Sequence, residues 1–229
     1  MAASSLQRGS LQRPLLCYVT DRQLLSPGNF SDLTDSLLKK IEAAIQAGID
    51  WIQIREKDLC ARDCAALVRN AVRATDGHAT RIFVNDRFDV AVTENASGVH
   101  LGGQSIPANE TRRYLDNPNY FSNGTKEFLM GTSCHSVAEA KLAEGNGAGY
   151  IFFGPIFSTP SKIGFGEPQG LRRLEEVCSA VKIPVLAIGG VTLENARECL
   201  SAGASGIAAI RLFQDAGDMR TVVDELRQL

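Results

Sequence analysis

The chain has 229 residues, 44% of them hydrophobic, and a formal net charge of −2. This length suits one α/β barrel or one or two smaller domains. The near-neutral charge balance gives no electrostatic footprint for a nucleic acid or an anionic membrane, and no apolar run approaches the ~20 residues that span a bilayer.

Residues 1–13 are polar and rich in small and basic residues, without the apolar centre of a signal peptide. They read as a disordered arm ahead of a barrel domain over 14–229. A short apolar, partly β-branched run at 15–20 makes the first strand and ends in Asp21. Ser31 and Asp32 can cap a helix whose apolar positions Leu37, Leu38, Ile41, Ala44 and Ile45 fall at helical spacing, and Gly48 closes it. Strand two spans 49–54 and is followed by a helix over 61–74. Strand three spans 81–85, with a short helix over 86–94. Strand four is brief, 98–101, and a helix follows over 108–115. Strand five covers 127–132. Ser136, with Glu139 three residues on, caps the next helix. Strand six centres on Ile151 and stops at Gly154-Pro155, which no helix interior would accept. A helix over 171–181, a strand over 184–188, a helix over 194–202, a last strand over 206–210 and a last helix over 219–229 complete the chain. Eight strands each followed by a helix, with no hairpin, require parallel pairing through crossovers. The pattern predicts an α/β fold, a single (β/α)8 TIM barrel. The competing open doubly wound sheet lacks its Gly-x-Gly-x-x-Gly turn after strand one.

The six cysteines, Cys17, Cys60, Cys64, Cys134, Cys178 and Cys199, form no Cys-x-x-Cys pair. They point to free thiols in a reducing, cytoplasmic setting. Cys60 and Cys64 lie one helical turn apart but have no second pair to complete a zinc site.

In such a barrel the chemistry sits where strands end. Strand two ends in Gln53, Arg55 and Lys57, which alternate along an extended segment and so share a face. They form either an anion site or a mixed-charge exit neutralised by Glu56 and Asp58. Strand three ends in Asn85 and Asp86; Asp86 suits either a Mg²⁺ ion completed by substrate phosphate oxygens or the N-cap of the following helix. His100 lies at the end of strand four. Strand five ends in Ser133 and His135, the latter a proton carrier or a packed helix-start residue. The glycine-rich loop after strand six carries Thr159, Ser161 and Lys162, the makings of a phosphate cradle or of an ordinary surface loop. Gly190 after strand seven, with Ile210 and Arg211 at the end of strand eight, occupies the place where barrels often hold a phosphate.

Taken in order, Tyr18-Val-Thr-Asp21, Gln53-Ile-Arg-Glu-Lys57, Asn85-Asp-Arg87, Gly98-Val-His-Leu-Gly102, Gly131-Thr-Ser-Cys-His-Ser136, Gly154-Pro-Ile-Phe157, Lys162 and Ile188-Gly-Gly190 resemble the thiamine phosphate synthase / thiazole tautomerase family over nearly all of the chain from Tyr18. The resemblance implies a (β/α)8 barrel enzyme that acts on phosphorylated small molecules and leaves room for a homo-oligomer. The synthase reaction joins hydroxymethylpyrimidine pyrophosphate to thiazole phosphate and releases pyrophosphate, with Mg²⁺ as cofactor. The resemblance assigns Gln53, Arg55, Lys57, Asn85 and Lys162 to the pyrimidine and its pyrophosphate, Asp86 to Mg²⁺, Ser133 to pyrophosphate, Thr159 and Ser161 to the thiazole side, and Gly190 to the thiazole phosphate. Lys162, Ser133 and His135 are the catalytic candidates, His135 as the proton carrier of the tautomerase branch. Two positions depart from the synthase pattern: Ser105 stands where a second Mg²⁺-binding Asp is usual, and Arg211 where a Ser is usual. The alternatives to a synthase are a thiazole tautomerase and a non-catalytic barrel that binds a phosphorylated ligand.

Overall fold

The computed structural model describes residues 12–25, 30–117, 128–159 and 167–229, the side chains of Phe30 and Ser31 aside. Most of the expected arm therefore lies outside the described residues. Arg13, at its end, pairs with Asp50 at 3.1 Å.

The strands β1 (Leu15–Val19), β2 (Trp51–Ile54), β3 (Arg81–Asn85), β4 (Gly98–Leu101), β5 (Leu129–Cys134), β6 (Tyr150–Phe153), β7 (Val185–Ile188) and β8 (Gly206–Ala209) pair in sequence order, all parallel, and β8 closes on β1. The helices between them are α1 (Phe30–Ala47), α2 (Ala61–Ala74), α3 (Phe88–Thr93), α4 (Ala108–Leu115), α5 (Val137–Gly145), α6 (Gly170–Ala180), α7 (Leu193–Ser201), α8 (Arg211–Gln214) and α9 (Met219–Arg227). This is the (β/α)8 barrel that the strand–helix alternation requires.

The short buried strands are apolar on both faces, as parallel strands covered by helices must be. Outward residues such as Ile52, Val84, Ile151 and Ile207 meet helix residues such as Leu37, Ile41, Leu67, Val177 and Leu226 in one continuous core. Each such side chain contributes about 1.5–3 kcal/mol by leaving water. Inward residues make a second, smaller core: Leu15, Cys17, Val19, Trp51, Phe83, Leu129, Tyr150, Phe152, Leu186 and Ala208. Trp51, Phe83 and Tyr150 are its centre, with ring centroids 4.7–5.4 Å apart. They plug the barrel and form a dry floor beneath the strand ends.

The cap expected at Ser136 is formed: its Oγ accepts the Glu139 N–H at 3.2 Å. Thr192 and Asn195 cap α7 reciprocally, whereas Ser31 and Asp32, expected to cap the first helix, lie inside α1, which begins at Phe30. The capping role considered for Asp86 is not seen. The residue adopts φ +67° and helix α3 begins only at Phe88. In that left-handed conformation the Asp86 N–H points back to His100 O at 2.8 Å. Ile210, expected as the last strand residue, follows the end of β8 and precedes α8. Helix α8 has no counterpart among the expected elements. It is held because Phe213 is fully buried and Gln214 spans from the Tyr18 hydroxyl at 2.9 Å to Asp21 O at 2.7 Å, fastening the exit of β1.

Candidate functional site

Pairing register puts Gln53, Asn85, His100 and Ser133 on the inward face at the C-terminal ends of β2 to β5. They form a polar arc above the aromatic floor. Gln53 Nε2 donates to Asn85 Oδ1 at 2.9 Å. His100 Nε2 lies 2.9 Å from Ser133 Oγ. The other half of the mouth, from β6 round to β1, is lined by Phe152, Leu186, Ile188, Ile210 and Val19 and is apolar. The mouth is thus divided into a polar and an apolar side.

Gln53 is 2% exposed, and its Oε1 has no hydrogen-bond partner among the described residues. A buried amide oxygen left this way loses its water without compensation, so the site holds an acceptor ready for a donor. His100 is 1% exposed. Burial of its ring, with the Arg55 charge nearby, pushes its pKa down to about 3. The ring is neutral at physiological pH, and the Arg55 charge is felt at the mouth.

Behind the arc stands a buried ionic cluster that composition gave no hint of. Glu56 accepts from the Thr20 hydroxyl at 2.6 Å and pairs with Arg22 at 3.1 Å, and Asp58 takes both terminal nitrogens of Arg22 at 2.6 Å each. Burial pushes the Glu56 carboxyl up, offset in part by the bonds from Thr20 and Arg22. Hydrogen bonding to Arg22 holds Asp58 down at about 2. Thr20 Oγ1 also accepts the Arg55 N–H at 3.0 Å, so this cluster fixes the backbone where β2 leaves the sheet. The mixed-charge reading of this exit is corrected accordingly: Glu56 and Asp58 are engaged by Arg22. The single extended face for Gln53, Arg55 and Lys57 is also corrected. Strand β2 ends at Ile54, and exposed Lys57 lies in a turn.

Asp86 is exposed at the end of β3. Its neighbour Arg87 is paired with Asp89 at 2.5 Å. Ser105 Oγ accepts the Gly102 N–H at 2.7 Å and so closes its own turn. Among the described residues no group of three His, Cys, Asp or Glu side chains could enclose a metal. The expected ligand, Asp86, contributes one carboxylate. It fits Mg²⁺, which keeps several waters and commonly takes one or two carboxylates with substrate phosphates, and it would not suit a metal that needs an all-protein cage.

His135 is held at the start of α5, its Nδ1 2.6 Å from Gly154 O and its N–H donating to Glu139 at 2.7 Å. Since a carbonyl only accepts, Nδ1 carries a hydrogen in this contact. Beyond β6 and β7 the sheet's bonding continues into the loops, with Ile156 N to Ile188 O and Phe157 N to Gly189 O, both 3.0 Å. Gly190 adopts φ +69°, and a Cβ there would meet Ser158 O at 2.6 Å. Only glycine allows this close approach. Its N–H has no partner among the described residues. Thr159 follows directly on this contact, while Ser161 and Lys162 lie outside the described residues. Arg211, the first residue of α8, is exposed, and its guanidinium has no partner among the described residues. The residue that strand-end reasoning passed over is Tyr150, whose hydroxyl reaches His100 Nδ1 at 3.3 Å. Its signal was Gly131, a strand glycine whose missing side chain marks the path of another ring.

A sequence profile described as thiamine monophosphate synthase matches residues 16–213. A thiamine-phosphate synthase of Roseiflexus sp. strain RS-1 is 37% identical over 200 residues, 87% of this chain and 78% of that one. A thiamine-phosphate synthase of Methanoculleus marisnigri is 37% identical over 194 residues, 85% of this chain and 87% of that one. The solved structure of a thiamine phosphate pyrophosphorylase from Pyrococcus furiosus superposes with a TM-score of 0.79 at 31% identity, covering 96% of each chain.

Proposed function

The chain belongs to the thiamine monophosphate synthase family, and on that premise we propose that its barrel mouth joins hydroxymethylpyrimidine pyrophosphate to thiazole phosphate, giving thiamine phosphate and pyrophosphate. The observation that carries the reading is the half-polar mouth, above all the buried, unpartnered Gln53 Oε1. That acceptor suits the exocyclic amino group of an aminopyrimidine, and the aromatic floor below it suits the flat ring.

In this reading Asn85 holds the pyrimidine beside Gln53, and Arg55, Lys57, Lys162 and Ser133 receive the pyrophosphate. Thr159 and Ser161 face the thiazole, with Gly190, Ile210 and Arg211 around its phosphate. Asp86 would hold Mg²⁺, with the substrate's phosphates completing its ligands. The ion, when bound, neutralises charge on the leaving group. The carbon–oxygen bond to pyrophosphate breaks and both electrons leave with the anion. The electron-rich aminopyrimidine carries the resulting cation, and the thiazole nitrogen supplies the pair for the new carbon–nitrogen bond. No proton has to move and no protein nucleophile is needed. Fixed donors aimed at the departing anion are the protein's main contribution. His100 is neutral and so places no positive charge beside the pyrimidine cation. A cytoplasmic enzyme fits this chemistry, since both substrates are charged small molecules.

Incubating the protein with both substrates and Mg²⁺ should yield thiamine phosphate and pyrophosphate in equal amounts, and chelation should abolish both. Gln53→Leu should raise KM for the pyrimidine substrate by about tenfold or more, as expected when a polar ligand group loses its buried partner. Absence of thiamine phosphate from the wild-type reaction would refute the proposal.

A further inference from the structure

Three register neighbours lie side by side across the barrel interior: His100 on β4, Gly131 on β5 and Tyr150 on β6. The Tyr150 ring fills the place where residue 131 would carry a side chain, for a Cβ there would stand 2.1 Å from Tyr150 Cζ. The ring thus crosses β5 and brings its hydroxyl to His100 Nδ1 at 3.3 Å, while His100 Nε2 lies 2.9 Å from Ser133 Oγ.

These contacts have a direction. Tyr150 and His100 are each 1% exposed. A buried phenol has to place its hydrogen on an acceptor, and the acceptor at hand is His100 Nδ1. A neutral imidazole has one donor and one acceptor nitrogen. With Nδ1 accepting, Nε2 bears the hydrogen and donates to Ser133 Oγ. The hydrogen of Ser133 must then point away from the ring, into the mouth.

We propose that Tyr150 and His100 form a one-way hydrogen-bond relay that presents the Ser133 hydroxyl to the mouth as a donor, fit to hold the departing pyrophosphate. The proposal rests on the reading of function above and adds two positioning residues to it, both acting through Ser133. The opposite tautomer would have Ser133 donate to the ring. The mouth would then meet an oxygen lone pair, unfavourable for an anion, and the pair would have the polarity of a serine nucleophile with its base. The relay excludes that arrangement, because the ring's accepting nitrogen is already taken by Tyr150.

The test has two arms. In the first, nitrogen-15 NMR of the wild-type protein, with the His100 signals assigned by their loss in His100→Gln, should show the hydrogen on Nε2. A hydrogen on Nδ1 would overturn the relay whether or not any substrate binds. In the second, calorimetry with pyrophosphate and Mg²⁺ compares the wild type, Tyr150→Phe, Ser133→Ala and the double variant. Tyr150→Phe should weaken pyrophosphate binding about tenfold, equivalent to about 1.4 kcal/mol, and should cost nothing further once Ser133 is alanine. An unchanged affinity in Tyr150→Phe, or the same loss in the Ser133→Ala background, would overturn the relay. A wild-type protein with the Nε2 tautomer but no affinity for pyrophosphate would sink the function and the relay's purpose while leaving its tautomer in place, so the two failures are told apart.

Discussion

The neutral, buried His100 makes stability depend on acidity with a calculable size. The folded ring titrates at about 3 against an ordinary value of 6.5. On going from about pH 7.5 to about pH 5 the unfolded chain takes up almost one proton at this residue and the folded chain almost none. The folded pKa is depressed, so the unfolded state binds the extra proton and stability falls as pH drops. Over that window the loss is about 2 kcal/mol, and it changes little for any folded value below about 4. The wild type carries other pH-dependent contributions over the same window, so the informative quantity is a difference. Urea unfolding of the wild type and of His100→Gln, each at about pH 7.5 and about pH 5 in metal-free buffer, isolates it. Glutamine can still bond to Tyr150 and Ser133 and cannot take a proton. The wild type should lose about 2 kcal/mol more than the variant. If the two lose the same amount within about 0.5 kcal/mol, the reasoning from desolvation is wrong.

Gly131→Ala would set a methyl 2.1 Å from Tyr150 Cζ; the ring has to shift, and we expect a destabilisation of about 2–3 kcal/mol in thermal unfolding. An unchanged melting temperature would show that the ring has room to move. Asp86 occupies φ +67°, where glycine is at ease. Asp86→Gly should stabilise the fold by about 0.5–1 kcal/mol while removing Mg²⁺-dependent synthesis, and a variant that keeps its rate would exclude Asp86 as the metal's ligand. Glu56→Gln breaks a buried ion pair, Arg22 and Glu56 having side chains only 5% and 1% exposed. Asp58 still engages Arg22, so the expected cost in urea unfolding is about 3 kcal/mol, the low end for such pairs. A loss below about 0.5 kcal/mol, the size seen for exposed pairs, would contradict it.

The barrel was legible because the strands are short, mostly apolar runs, several of them stopped by Gly, Pro, Asn or Asp, and because helical spacing resumes after them. Ala61–Ala74 and Gly98–Leu101 fall where the spacing put them. Strand-end logic also pointed to Gln53, Asn85 and Ser133, because each falls at or near the last residue of its strand. What stayed hidden depended on distance in sequence. Arg22 and Glu56 are 34 residues apart, and nothing local told that Glu56 and Asp58 would turn to Arg22 instead of to Arg55 and Lys57. The left-handed turn at Asp86 looked like a helix cap because aspartate favours both. Helix α8 is only four residues long, too short for any periodic signal, and exists for its contacts to Tyr18 and Asp21. Tyr150 was not singled out at all. Its hydroxyl acquires a partner through a glycine on the neighbouring strand, a relation set by register and not by spacing.

The joined exits of β6 and β7 have a consequence for how such a barrel can be re-engineered. Besides the bonds from Ile156 and Phe157 to Ile188 and Gly189, the far end of the β6 loop returns to its root, with Gln169 N on Pro155 O at 2.7 Å and Gly170 N on Ile156 O at 3.1 Å. The two segments share one footing, so lengthening either would tear the seam that seats the other. A chimera that swaps the β6 loop alone should assemble poorly, whereas transplanting both exits as one cassette should preserve the wall.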